Sequence, residues 1–263
     1  MVIMTRRIRA LFLLSLLSTP FLASQALAAA NLYDGYWTLS AGAGRSFYRM
    51  DTDNYIVASE PLPPDHYYKN DIHDGSFVNI TGGYTWARYA DAFPAFMLVL
   101  NYTYAFQGKV SGYINQYNLG AFQNYSYSYD FSRQSLMAVI KANIFSANCF
   151  MPYIIAGTGV SFNKASSYRE QPLSNVTPRI SPGYDTGHHS SWAYIVGAGV
   201  DYAFRDDIWV GLEYNYGDFG TVDTGSGAGT PTVTGVNYSD QHLTNSLRAN
   251  SVLINFTYLL NYL

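Results

Sequence analysis

Between Ser191 and Gly217 the chain alternates twice, on either side of the charged turn Arg205-Asp206-Asp207. In the first run Tyr194, Val196, Ala198, Val200, Tyr202 and Phe204 share one face, and Ile195, Gly197, Gly199, Asp201 and Ala203 share the other. In the second, Val210, Leu212, Tyr214 and Tyr216 oppose Trp209, Gly211, Glu213 and Asn215. A period of two over this length predicts a pair of antiparallel strands. The bulky face is aromatic, and the opposite face is glycine with isolated charges. A soluble sandwich would bury its bulky face and turn a charged, glycine-free face to water. A membrane barrel instead sets the bulky face against lipid and keeps a narrow, polar interior. The pattern therefore predicts a barrel.

Six further stretches repeat it. Asp34 to Phe47 sets Trp37, Leu39, Ala41 and Ala43 against Thr38, Ser40, Gly42 and Gly44. Ser76 to Arg88, Phe96 to Gln107, Arg133 to Ile144, Pro152 to Phe162 and Asn245 to Leu260 alternate in the same way. Short turns are predicted at Ala90 to Pro94, Ser146 to Cys149 and Arg205 to Asp207. Long polar loops are predicted at about 49–75, 109–130, 164–189 and 218–244, the last holding the low-complexity run from Thr224 to Thr230. Eight strands, with short turns on one rim and long loops on the other, give an all-β fold: an eight-stranded antiparallel transmembrane β-barrel. Closure is required, because an open sheet edge in lipid would strand backbone groups without hydrogen bonds.

Composition narrows the functions. Charged residues are 13% and aromatics 17%, with 25 tyrosines and a mean hydropathy of −0.05. No run after the first 30 residues is long and apolar enough for a membrane helix. The net charge of −3 predicts no nucleic-acid partner. Cys149 has no second cysteine to pair with, and it is read as incidental to a turn. At the start of the chain, Arg6, Arg7 and Arg9 precede an apolar run from Ala10 to Leu22, and Ala26-Leu27-Ala28 follows. This is the pattern of a secretory signal peptide over 1–28, leaving 29–263 as the barrel domain.

Leu100 to Tyr104, Leu212 to Tyr216 and Ile254 to Tyr258 share one order of apolar, polar, aromatic, polar, tyrosine. Together with Val196 to Phe204, Gly217-Asp-Phe-Gly220 and Asn250 to Tyr258, they carry a resemblance. The chain resembles small eight-stranded outer-membrane proteins of the opacity and outer-membrane protein A barrel type. That resemblance implies the outer membrane of a Gram-negative cell, with outer-membrane lipids and the barrel assembly machinery as partners. The assembly signal of such proteins usually ends in Phe or Trp, whereas here the chain runs on to Leu260-Asn-Tyr-Leu263. No periplasmic domain is expected after Leu263, which speaks against a peptidoglycan anchor.

Candidate chemistry is sparse. Lys141, Asp201 and Glu213 fall on the inward parity near short turns. Pairing across Arg205–Asp207 would set Glu213 opposite Gly199 and Asp201 opposite Gly211, so that each glycine makes room for a carboxylate. Charges in so narrow a space need partners, and the three are read as a lumenal salt-bridge cluster that plugs the bore. The competing reading is a proton or ion gate. Arg133 and Lys109 fall on the same parity higher up. The five histidines, His66, His73, His188, His189 and His242, are all placed in long loops. None is expected on the wall beside a serine, as a lipid A deacylase would need. Adjacent His188 and His189 lack the carboxylates of a metal site. No catalytic residue, metal or cofactor is expected. The loops, rich in Tyr, Asn, Ser and Gly as in Tyr113 to Tyr129, suit contact with a host-cell or matrix ligand. The expected role is structural or surface-interacting and adhesin-like. A narrow ion or solute channel and a lipid A-modifying enzyme are the alternatives.

Overall fold

A computed structural model describes residues 34–51, 53–57, 62–88, 92–179, 181–227 and 241–260. The expected signal peptide, the last three residues and residues 228–230 of the Thr224 to Thr230 run lie outside them. Ten antiparallel strands form one sheet: β1 (Asp34–Asp51), β2 (Asp53–Ile56), β3 (Asp65–His73), β4 (Gly75–Ala87), β5 (Ala92–Asn115), β6 (Gln123–Phe145), β7 (Phe150–Pro172), β8 (Gly187–Ala203), β9 (Ile208–Asp223) and β10 (Thr244–Leu260). Eight of them close a ring in the order β1-β4-β5-β6-β7-β8-β9-β10, with β10 returning to β1. β2 and β3 continue β1 and β4 beyond the ring as a hairpin on β5.

Orientation follows the alternation. Trp37, Leu39, Ile80, Leu98, Leu100, Ile140, Ile154, Val196, Leu212, Ile254 and Phe256 all point outward and are exposed. Their small and polar neighbours point inward: Thr38, Thr85, Ser135, Lys141, Asn143, Asp201 and Thr257 are buried. Such a row of exposed Leu and Ile would be an aggregation hazard in water, and hydrocarbon is the solvent it fits.

The strands are longer than the sequence pattern indicated. β6 and β7 have 23 residues each, whereas a tilted crossing takes about 9 to 11. Much of the expected loops at 49–75, 109–130, 164–189 and 218–244 is therefore strand. Only two single 3-10 turns, Gln116–Asn118 and Gly120–Phe122, separate β5 from β6. The signal was present in Tyr125-Ser-Tyr-Ser-Tyr-Asp-Phe131, where tyrosine and serine alternate with the strand period. The rings of Tyr125, Tyr127, Tyr129 and Phe131 are buried inside and the intervening polar residues face out. Their composition resembles a loop although their period is that of a strand.

This extension changes the interior. The interior is mixed at both levels: Met97, Val99, Met137, Val139 and Ile155 share the membrane-level half with the polar residues, and Asp65 and Asn245 are buried in the half above. There Met50, Ile56, Tyr67, Val110, Ile114, Tyr129, Phe131, Val222, Leu243 and Leu247 form an apolar core. Irregularities aim the strands. Pairing between β5 and β6 skips from Ala105 to Gly108, so Phe106 and Gln107 both face outward. Beyond that bulge the parity is inverted. Lys109, expected inside, is exposed for this reason. In β9 a shift opposite Ser246 and Arg248 places Gly220 at φ 71°, a conformation that favours glycine.

Candidate lumenal site

Three strands position the charged residues. Lys141 lies on β6, Asp201 on β8 and Glu213 on β9, all on the inner face. The register sets Gly199 opposite Glu213 and Gly211 opposite Asp201. Lys141 Nζ reaches across the bore to Asp201, 2.8 Å from Oδ1 and 2.7 Å from Oδ2. On its way it lies 3.8 Å from the centre of the Tyr153 ring. Asn143 donates to Asp201 Oδ2 at 3.0 Å. The pair is thus shielded by an aromatic face and bonded on both carboxylate oxygens, which is what a buried ion pair requires.

Glu213 is held differently. Among the described residues it forms no ion pair. It accepts from Tyr153 Oη at 3.1 Å and from Asn215 Nδ2 at 2.9 Å. The geometry follows from one row of the sheet: Tyr153 faces Gly199, and Gly199 faces Glu213. A Cβ on Gly199 would come within 2.5 Å of the Tyr153 ring. The glycine therefore opens space for the tyrosine, which then reaches the carboxylate two strands away. At Gly211 the space is taken by Asp201 itself, with Oδ1 2.7 Å from where a Cβ would be. Sequence parity put Asn143 and Asn215 on the same face as the three charges, but it did not single them out, or Tyr153, as the partners of those charges.

Two small cavities remain in the bore. One, of about 60 Å³, is lined by Lys141, Glu213, Asn79 and Asn255 among others. The next, of about 40 Å³, is lined by Arg133, Glu213, Asn79 and Ser135 among others. Arg133 faces inward, with its guanidinium carbon 3.3 Å from the centre of the Phe219 ring. At the short-turn end, a basin of about 940 Å³ opens between Arg88, Arg205, Asp206 and Asp207, floored by Trp209, Met151 and Leu259.

A second charged cluster closes the opposite end. Arg179 pairs with Asp65 and, at 2.7 Å, with Glu170. It also donates to Tyr67 Oη at 3.2 Å and lies 4.8 Å from the Tyr125 ring centre. Burial disfavours the charge on Arg179, but Tyr67, Glu170 and Asp65 outweigh burial, and its pKa lies above the usual arginine value. No sequence pattern pointed to this cluster, because Arg179 lies between strands with no period around it.

A closed ring with a lipid-facing apolar wall and a filled bore is the setting for the comparison with known families. Residues 14–258 match the family described as "Outer membrane protein beta-barrel domain". The chain belongs to this family. As an outer-membrane β-barrel it resides in the outer membrane of a Gram-negative bacterium. A search of curated proteins finds no match. Solved structures similar to this barrel include Neisserial surface protein A, at 13% identity and a TM-score of 0.44, covering 86% of this chain and 98% of the other. OprG from Pseudomonas aeruginosa shows 15% identity and a TM-score of 0.45, over 88% and 98%. Ail, the attachment invasion locus protein of Yersinia pestis, shows 14% identity and a TM-score of 0.38, over 86% and 99%. These likenesses concern fold alone.

The barrel places its histidines mostly on strands, not in the loops where they were expected. His66 and His73 are on β3, and His188 and His189 open β8. His66 bonds Asp53 at 3.0 Å and stacks on Tyr55 with ring centres 4.6 Å apart. His188 pairs in register with Lys164, and His189 with Asn163. Among the described residues no group of three His, Cys, Asp or Glu is placed to hold a metal ion.

Proposed function

We propose that this outer-membrane barrel is a closed, non-catalytic scaffold that presents its extracellular extension for surface interaction. The observation that carries this reading is the filled bore. Lys141, Asp201, Tyr153 and Glu213 cross-link its membrane-level half, and the tyrosine-rich core occupies the half above. An eight-stranded ring is just wide enough to be filled by its own side chains. Burying so much apolar surface above the bilayer supports a rigid platform over a loop tuft. On its outer face Tyr55, His66, Tyr68 and Tyr113 form a continuous aromatic row across β2, β3 and β5. Rings of this kind, polar at one edge and apolar on the face, suit contact surfaces. Outer-membrane lipids are its expected surroundings, and the barrel assembly machinery its expected route there.

The test is planar-bilayer recording with refolded protein, run beside binding to cells and extracellular matrix. No single-channel events, together with binding that falls several-fold in Tyr55→Ser/Tyr68→Ser, are expected. Events that change in Lys141→Ala or Glu213→Ala would replace this reading with a narrow channel. Altered lipid A by mass spectrometry after overexpression, abolished in His188→Ala or His189→Ala, would replace it with an enzyme.

A further inference from the structure

Lys164 on β7 and His188 on β8 stand directly opposite one another on the outer wall. Both side chains are exposed. Among the described residues neither forms an ion pair or a side-chain hydrogen bond. The surrounding carboxylates do not answer them. Asp130 stands opposite Lys109 on β5, Asp223 is held by Thr244 and His242, and Asp185 lies beyond the top of β8. On the face formed by β9, β10, β1 and β4 the cations stand among carboxylates: Arg45 pairs with Asp74, and Arg248 with Asp51 and Asp218. Two basic side chains set opposite each other on a sheet repel unless an anion lies between them.

Two observations fix the height of this pair. On β7 the outward side chains run Ile154, Ala156, Thr158, Val160 and Phe162 before Lys164 is reached, which is the length of one tilted crossing. On β8 Trp192, 69% exposed, is the last outward ring before Ser190 and His188. Exposed rings of this kind mark the boundary between hydrocarbon and headgroups. The ladder gives the same level independently. Pairing between β8 and β9 ends at Tyr194 and Asp218. Beyond that point β9 takes other partners: the Thr221 N–H donates to Ser191 Oγ at 3.0 Å, and the carbonyls of Phe219 and Thr221 accept from Asn163 of β7. A wall without a continuous ladder does not lie against hydrocarbon. Lys164 and His188 stand above the break, among headgroups.

We propose that Lys164 and His188 bind a phosphate of the phosphorylated glycolipid, lipid A, in the outer leaflet. Lys164 supplies the charge. His188, neutral or protonated, supplies an N–H. Ser132, opposite Lys164 on β6, adds a hydroxyl. The acyl chains then run down past Phe162, Val160 and Trp192. Side chains that emerge sideways at this height meet a lipid headgroup before they meet anything that approaches the crown. The proposal rests on the long-loop rim facing outside, as in the reading above.

The experiment titrates full-length refolded barrel in neutral detergent with lipid A, and with the same lipid after its phosphates are removed, and counts bound lipid by native mass spectrometry. The phosphorylated lipid is expected to bind several-fold more tightly. Lys164→Gln is expected to weaken it about fivefold, and Lys164→Gln/His188→Gln further. Arg49→Gln, which removes an equal charge beside Arg248, is expected to leave it unchanged. Equal retention of the two lipids would overturn the proposal, as would a double variant that binds lipid A as tightly as the unaltered barrel. Full displacement of lipid A by millimolar inorganic phosphate would assign the pair to a free anion, and displacement by a soluble sulfated glycan would assign it to a saccharide; either overturns it. If the double variant fails to refold, Lys164→Gln alone decides. Binding in detergent does not depend on which rim faces outside, so a failure of the orientation, read with reagents added to intact cells, is distinguishable from a failure of the site.

Discussion

At Gly211 the space a side chain would fill is already in use. A Cβ there would lie 2.7 Å from Asp201 Oδ1 and press on the Asn255 amide. Gly211→Val is therefore expected to cost about 1 to 3 kcal/mol, as overpacking of a filled interior does. Urea unfolding in lipid vesicles would read it, with Gly120→Ala as the unaffected comparison, because nothing lies within 4 Å of that position. The Lys141–Asp201 pair makes a second residue-level prediction. Lys141→Met leaves a fully buried carboxylate with only Asn143 to bond it, and the expected loss is about 3 to 5 kcal/mol in the same measurement. Adding Asp201→Leu is expected to restore most of that loss, since two apolar side chains leave no charge unpaired. Parity along the strand was enough to place Lys141, Asp201 and Glu213 on the inner face. Parity says nothing about which side chains meet across the bore. That depends on stagger between strands and on which neighbours are glycine, and so Glu213 bonds Tyr153 and Asn215 and not Lys141.

At the scale of elements, the long-loop halves of the strands behave as a second structural unit stacked on the first. The hairpin of β2 and β3 is tied to the segment after β7 by Arg179, which bridges Asp65 and Glu170 while Ser181 and Tyr168 also donate to Glu170. Arg179→Ala leaves both carboxylates buried and unpaired. Protease cleavage between Pro172 and Gly187 is expected to accelerate several-fold, while the membrane-level barrel stays intact on gels. The tyrosine core gives a pH prediction. Burial holds the phenols of Tyr67, Tyr127, Tyr129 and Tyr168 above the ordinary value near 10. A raised folded-state pKa means that the neutral form is the one the fold stabilises. That stability is complete below about pH 10 and is lost as pH rises through the folded values. Tyrosinate absorbance is expected to lag behind that of free tyrosine and then rise together with loosening of the extension. The strands themselves were readable wherever Leu, Ile and Val supplied one face. They were missed where Tyr alternates with Ser, because both residue types also populate loops. The bulge after Ala105 erased the parity argument for Lys109, since a strand irregularity leaves no mark in composition.

Across the whole molecule, one closed ring separates three surroundings: hydrocarbon outside, a cross-linked half-bore of mixed polar and apolar side chains inside, and a tyrosine-rich core beyond it. The ring and its lipid-facing wall were legible because they repeat on all eight staves. The height of the barrel was not, because length beyond the bilayer leaves no trace in the apolar pattern. Cys149 lies exposed in the turn between β6 and β7, beside the basin at the short-turn end. It is also the only thiol in the chain, which makes it a reporter of sidedness. A bulky polymer-linked maleimide is expected to spare it on intact cells and to modify it once the cell envelope is breached. Labelling of whole cells would mean that the barrel sits upside down in the envelope, with its tyrosine-packed crown in the periplasm.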